Sequence, residues 1–143
     1  MVLVGPAAHA TYHASTGAST VRSDQAAGAI RLQDLDAIII PGGHAPDKMR
    51  MRHAMVDLAA AAMAAAKPVA AIGHGPAVLI SANVLRGRTL TCWPSIAVDV
   101  KNAGGLYVDR PVVRDGNLIT SRKADDLQAF TDAIVDALGE RQT

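Results

Sequence analysis

The sequence predicts an α/β fold, a mostly parallel sheet covered by helices, and three observations carry that expectation. Short apolar runs alternate with longer segments of helical spacing along the chain. Two of those runs, 37–40 (Ala-Ile-Ile-Ile) and 69–72 (Val-Ala-Ala-Ile), are unbroken, as in strands covered on both faces. The second passes through Gly73-His74-Gly75 straight into Pro76-Ala77-Val78-Leu79-Ile80, the layout of a strand, a sharp turn and a helix.

Taken in order, residues 1–4 form a short apolar strand ended by Gly5-Pro6. Residues 7–20, rich in Ala, Ser, Thr and Gly with two histidines, show no period and read as a loop. A short extended piece (21–24) and a turn or short helix (26–35) lead into strand 37–40. Residues 54–66 are helical by composition and stop before Lys67-Pro68, because the residue before a proline is pushed out of the α region. After the helix 76–83, residues 89–92 read as a strand and 96–102 as a short helix. Strands 107–108, 112–114 and 118–121 follow, the last two joined by Asp115-Gly116-Asn117, whose Asp-Gly tolerates the positive φ of a hairpin turn. The spacing of Leu127, Phe130, Ile134 and Leu138 predicts one apolar face on a helix over 124–138, ended by Gly139.

The 143 residues contain no repeat or linker and suit a single domain spanning the whole chain. Aromatics are only 3% of a chain that is half hydrophobic, so alanine and β-branched residues must make close helix-on-sheet contacts. A formal charge of +1 without a basic block argues against nucleic acid and membrane surfaces as partners. No apolar run reaches the roughly 18 residues of a membrane span, and the first residues lack a signal-peptide layout, so a cytoplasmic location is expected. Cys92 is the only cysteine and forms no internal disulfide.

A strand–turn–helix of this kind is a nucleophile elbow, which thrusts one side chain out on a strained turn. Here the apex is Gly73, which has none. The pair Gly42-Gly43 gives a tight turn after a buried strand, and its N–H groups are expected to converge with those of His74 and Gly75 on a small-anion site. The G-x-G-x-x-G spacing of a dinucleotide site is absent, and no cofactor is expected. Cys92, on a strand, reads as a buried and inert thiol. Of His9, His13, His44, His53 and His74, no pair has helix-face ligand spacing with a supporting acid, except loosely His9 and His13, and their loop-like surroundings make surface histidines and no metal the expectation. Arg110-Pro111 and Arg122-Lys123 are expected to be solvated.

Ala71-Ile72-Gly73-His74-Gly75-Pro76 resembles the A-I-C-H-G-P elbow of the DJ-1/PfpI superfamily, and Asp36-Ala37-Ile38-Ile39-Ile40-Pro41-Gly42-Gly43-His44-Ala45-Pro46-Asp47 is similar to its D-A-[LIV]-x-[LIV]-P-G-G-R-A-P-E. Leu85-Arg86-Gly87-Arg88, Thr91-Cys92-Trp93-Pro94-Ser95-Ile96, Asn102-Ala103-Gly104, Asp115 to Arg122 and Asp126-Leu127 follow in the order of the PfpI branch, over about Ser19 to Leu138. The resemblance implies a flavodoxin-like three-layer sandwich of the glutamine amidotransferase-like kind. It also implies dimers or hexamers assembled through the region around His44 to Arg52.

It further implies a catalytic set in which the elbow residue, here Gly73, is a cysteine, and the matching His74 pairs with an acid of a neighbouring subunit at the place of Asp47. Binding would fall to Gly42, Gly43, His44 and Gly75. Because the thiol is replaced by glycine, the expected function is a non-thiol, stress-associated or small-metabolite-binding member whose cleft takes an anionic or carbonyl ligand. The alternative is a hydrolase (peptidase or amidase) or glyoxalase/deglycase-like enzyme working through His74 and Asp47. The resemblance also implies a first strand and helix upstream of the region matching Val2. Either residues 1–4 take the inner place in the sheet, or a neighbouring chain donates a strand, or the sequence is a fragment of a longer product.

Overall fold

A computed structural model of the chain describes residues 1–14 and 16–141. The N-terminal part runs β1 (Val4–Gly5), β2 (Thr11–His13), β3 (Thr20–Arg22), β4 (Gln25–Ala26), two 3₁₀ turns and β5 (Ile38–Ile40). Then come α1 (Ala45–Met49), α2 (His53–Ala64), β6 (Val69–Ile72), α3 (Pro76–Ser81), β7 (Thr89–Leu90) and α4 (Ala97–Asn102). The chain continues through β8 (Leu106–Tyr107), β9 (Val112–Asp115), β10 (Leu118–Ser121) and α5 (Leu127–Arg141).

The central sheet has the order β5-β6-β10-β9. Strands β5, β6 and β10 are parallel and β9 is antiparallel to β10. Because side chains alternate along a strand, β6 and β10 feed two cores. Val69, Ala71 and Leu118 pack with Ala59, Ala62 and Met63 of α2, Val78 and Leu79 of α3 and Val100 of α4. Ala70 and Ile119 face the other way, onto Phe130, Ile134 and Ala137 of α5. Helices therefore cover both faces, which makes the molecule a flavodoxin-like three-layer α/β sandwich.

Several local expectations are corrected. Residues 11–13 are not loop: Tyr12 lies opposite Val21 in an antiparallel hairpin of β2 and β3, whose residues are all exposed and so carry no alternation for the sequence to show. Residue 15 of that expected loop lies outside the described residues. Residues 91 and 92 leave the β7 ladder, and the buried Thr91 amide donates to Thr120 Oγ1 at 2.9 Å. Helix α5 buries Phe130, Ile134 and Ala137, while Leu127, its first residue, is exposed. It also continues through Gly139 to Arg141. A glycine costs a helix only about 1 kcal/mol, and the Arg114–Glu140 ion pair ties this last turn to β9.

The first strand does not take an inner place. β1 pairs with β4 in a separate two-stranded sheet, so β5 is the edge of the central sheet and Ile39 is 51% exposed. At the end of the sheet away from the elbow, Gly116 turns with φ +57° and Asn117 Nδ2 donates to the Lys67 carbonyl at 2.9 Å. Arg88 donates to the Asp115 carbonyl and to Asn117 Oδ1 at 2.7 and 2.9 Å, which fixes this hairpin against the start of β7.

Candidate functional site

All three parallel strands end on the same side, at Ile40, Ile72 and Ser121, and the candidate site lies just beyond them. The chain turns sharply after β6: Gly73 has φ +63°, its N–H donates to the Ser121 carbonyl at 3.0 Å, and its own carbonyl accepts the Trp93 N–H at 2.9 Å. The elbow is therefore formed, with Gly73 at its apex. A Cβ built there would meet only the Arg122 carbonyl and the Gly42 Cα, both at 3.8 Å.

Gly42 and Gly75 are glycine for a different reason. A Cβ on Gly42 would lie 2.9 Å from the Ile72 carbonyl, and one on Gly75 would lie 2.8 Å from the Ile40 carbonyl and 2.9 Å from that of Ile72. The loop after β5 and the elbow after β6 thus touch backbone to backbone, which brings Gly42 beside the His74 amide. The expectation that the Gly75 N–H serves a ligand is corrected, because that N–H donates to the Ile72 carbonyl at 2.8 Å to close the turn. Among the described residues, the amides of Gly43 and His74 donate to no acceptor.

These loops border a cavity of about 410 Å³ lined by Gly43, His44, Pro46, Asp47, Arg50, His74, Ala77 and Ile96. His44, Asp47, His74 and Gly43 are thus brought together. The pairing of His74 with Asp47 is not formed within the chain: among the described residues the imidazole has no hydrogen-bond or ion-pair partner. Its contact is instead with the Trp93 ring, stacked at 6.1 Å between centroids and 26° between planes. Trp93 and Ile96, which the sequence offers only as part of a motif, and Arg50, only as part of the region around His44 to Arg52, had no site role in the sequence analysis. The signal for Trp93 was its being the chain's only tryptophan, beside Cys92; nothing local tied Arg50 or Ile96 to the elbow, since only the fold brings them there.

Cys92 is fully buried, and burial, with a smaller push from the Asp99 carboxylate, raises its thiol to a pKa of about 12. It is no relocated nucleophile. His9, His13 and His53 are exposed, and among the described residues no group of three His, Cys, Asp or Glu side chains is placed to hold a metal ion.

Arg122 corrects the expectation of a solvated side chain. It leaves β10 beside the elbow and grips the buried Asp126 with Nε and Nη2, at 2.9 and 3.1 Å, while Nη1 reaches Asp109 at 3.0 Å. The guanidinium holds the Asp126 carboxyl below the usual carboxylate range. A carboxyl depressed in the folded state stabilises it above the unfolded pKa, and that stability is lost as pH falls through the folded value. The wild type is therefore expected to lose stability to acid below about pH 4, the ordinary aspartate range, more steeply than Asp126→Asn, which starts lower at pH 7. Urea midpoints at pH 3 to 7 check this; parallel curves for the two proteins would refute the clamp.

The DJ-1/PfpI family profile matches residues 1–137. Among curated proteins, the chain is 42% identical over 130 residues to protein/nucleic acid deglycase 2 of Escherichia coli, covering 90% of this chain and 76% of that protein. It is 45% identical over 111 residues to a deglycase of Pyrococcus abyssi, covering 78% and 67%. Among solved structures, a two-domain protein of Anabaena variabilis with DJ-1/ThiJ/PfpI-like and ferritin-like domains superposes with a TM-score of 0.94 at 42% identity. This chain is covered to 96% there but spans only 40% of that longer one. With Drosophila melanogaster DJ-1beta the TM-score is 0.75 at 29% identity, over 85% of this chain and 69% of that one. No helix among the described residues is long and apolar enough to cross a membrane. The elbow geometry, the three-layer sheet and these matches agree: the chain belongs to the DJ-1/PfpI family.

Proposed function

We propose that this chain is a non-thiol member of the family whose cleft binds a small anionic or carbonyl-bearing metabolite. The observation that carries the reading is the bare apex: Gly73 supplies no side chain to the cleft, and the only thiol is buried with a pKa of about 12. What the cleft retains is binding chemistry. Among the described residues, the amides of Gly43 and His74 are donors without acceptors and the His74 imidazole, lining the same cavity, is unpaired. A carbonyl or carboxylate oxygen meets both kinds of donor there.

A second reading, a deglycase- or hydrolase-like enzyme, is favoured by the names of the relatives from Escherichia coli and Pyrococcus abyssi. In it His74 takes a proton from water, whose oxygen then attacks the substrate carbonyl, and Asp47 from a second copy orients the imidazole. Asp47 is exposed on α1 and, among the described residues, makes no bond to His74 of its own chain, so in this reading the pair forms only if copies associate through the region around His44 to Arg52.

The Trp93 ring on His74 offers a readout for both. Hydroxyacetone and pyruvate are expected to change tryptophan fluorescence in the wild type and not in His74→Ala, with no loss of methylglyoxal by either protein. Methylglyoxal turnover by the wild type that His74→Ala and Asp47→Asn both abolish would replace the first reading with the second. A monomeric mass in solution would remove the role given to a second copy.

A further inference from the structure

Arg50 follows α1 and lies where the cleft meets a second cavity of about 340 Å³, lined by Arg50, Ala77, Ile80, Ile96, Asp99, Asn102 and Ala103. The two cavities share Arg50, Ala77 and Ile96, so they lie side by side with Arg50 lining both. The Arg50 Nε donates to Ser81 Oγ at 2.7 Å, which anchors the side chain to the end of α3. Among the described residues no carboxylate pairs with it, and its two Nη groups make no hydrogen bond.

A guanidinium held at one end with its remaining donors unused beside a cavity is a receptor for a planar anion. We infer that Arg50 is the anchor for a carboxylate on the cleft's ligand, and that this ligand is a short oxo-monocarboxylate. The inference rests on the reading of the cleft as a binding site and names its substrate class. His74 and Gly43 line the first cavity together with Arg50, so the ligand's carbonyl is assigned to His74 and the Gly43 amide and its carboxylate to Arg50. On the other side of Arg50 the second cavity offers the Asp99 carboxylate and the apolar Ile80, so a second acid group reaching it meets repulsion. Ser81 is a positioning residue, acting through Arg50.

Pyruvate and hydroxyacetone share a methyl ketone and differ in charge, so tryptophan fluorescence titrations with the two separate the anchor from the cleft. In the wild type, pyruvate is expected to bind about tenfold or more tighter than hydroxyacetone, as a charge-assisted hydrogen bond supplies, and tighter than the dianion 2-oxoglutarate. Arg50→Gln should raise the pyruvate Kd by about tenfold and leave that of hydroxyacetone within about twofold; Arg50→Lys should recover part of the loss, and Ser81→Ala should weaken pyruvate alone. Equal pyruvate binding by wild type and Arg50→Gln, or a parallel loss for both ligands at unchanged Tm, overturns the anchor while the cleft reading stands. If neither ligand binds the wild type, the cleft reading itself fails and the anchor falls with it.

Discussion

Gly73→Cys is expected to fold and to place a reactive thiol in the cleft, in a chain whose natural cysteine stays inert. The space is present: the new Cβ sits 3.8 Å from its nearest neighbours, ordinary contact distance. The cost is conformational, since a side chain at φ +63° sits in the left-handed region, and amounts to roughly 1–2 kcal/mol. Against a total stability of roughly 5–15 kcal/mol, that loss is tolerable. The two thiols then differ sharply. Cys92 has a pKa of about 12 and no exposed surface, whereas a thiol at the apex starts from about 8.5, so the thiolate populations near pH 7.5 differ by a factor on the order of 3,000. Native alkylation followed by peptide mapping should label residue 73 of the variant and leave Cys92 unmodified in both proteins. Labelling of Cys92 at a comparable rate would mean that the chain opens around β7. Methylglyoxal loss that appears only in the variant would mark the cleft as one from which the thiol alone is missing.

Gly75→Ala, two residues on, is expected to do the opposite and cost stability without adding any chemistry. All three nearest atoms to its new Cβ are backbone, the Ile40 carbonyl at 2.8 Å and the Ile72 carbonyl and nitrogen at 2.9 and 3.0 Å. None can swing aside as a side chain does, so β5 and β6 must separate at the point where the elbow closes. Overpacking of this kind costs about 3 kcal/mol, a large part of the total. Chemical denaturation should show a midpoint shift well beyond that of Gly73→Cys. If Gly75→Ala proved the milder of the two, the close approach of the loops after β5 and β6 would be wrong. The comparison separates a glycine that is chemically silent from one that is sterically required.

Much of the fold was legible in the residues themselves. Val69 to Ile72 followed by Gly73-His74-Gly75-Pro76 could be little else than a buried strand turning into a helix, and α5 announced its sheet-facing side through Phe130 and Ile134. The apex of the site was equally plain, since a missing side chain is a property of the sequence. The β2–β3 hairpin was not legible, because strands exposed on both faces leave no apolar alternation to read. Nor was the edge position of β5: Ile38-Ile39-Ile40 has the composition of an interior strand, and only the pairing of β1 with β4 leaves Ile39 exposed.

The sequence by itself determined which backbone turns this chain must make and that no thiol stands at the elbow, because glycine, proline and apolar spacing act on local conformation. Tertiary structure alone decided what surrounds that elbow: Trp93 on the His74 ring, the Gly75 amide closed on Ile72, Arg122 clamping Asp126, and Arg50 tethered to Ser81 between two cavities. Those contacts join residues far apart in the chain, and their geometry comes from the sheet register and the packing of helices on it, which no local pattern encodes.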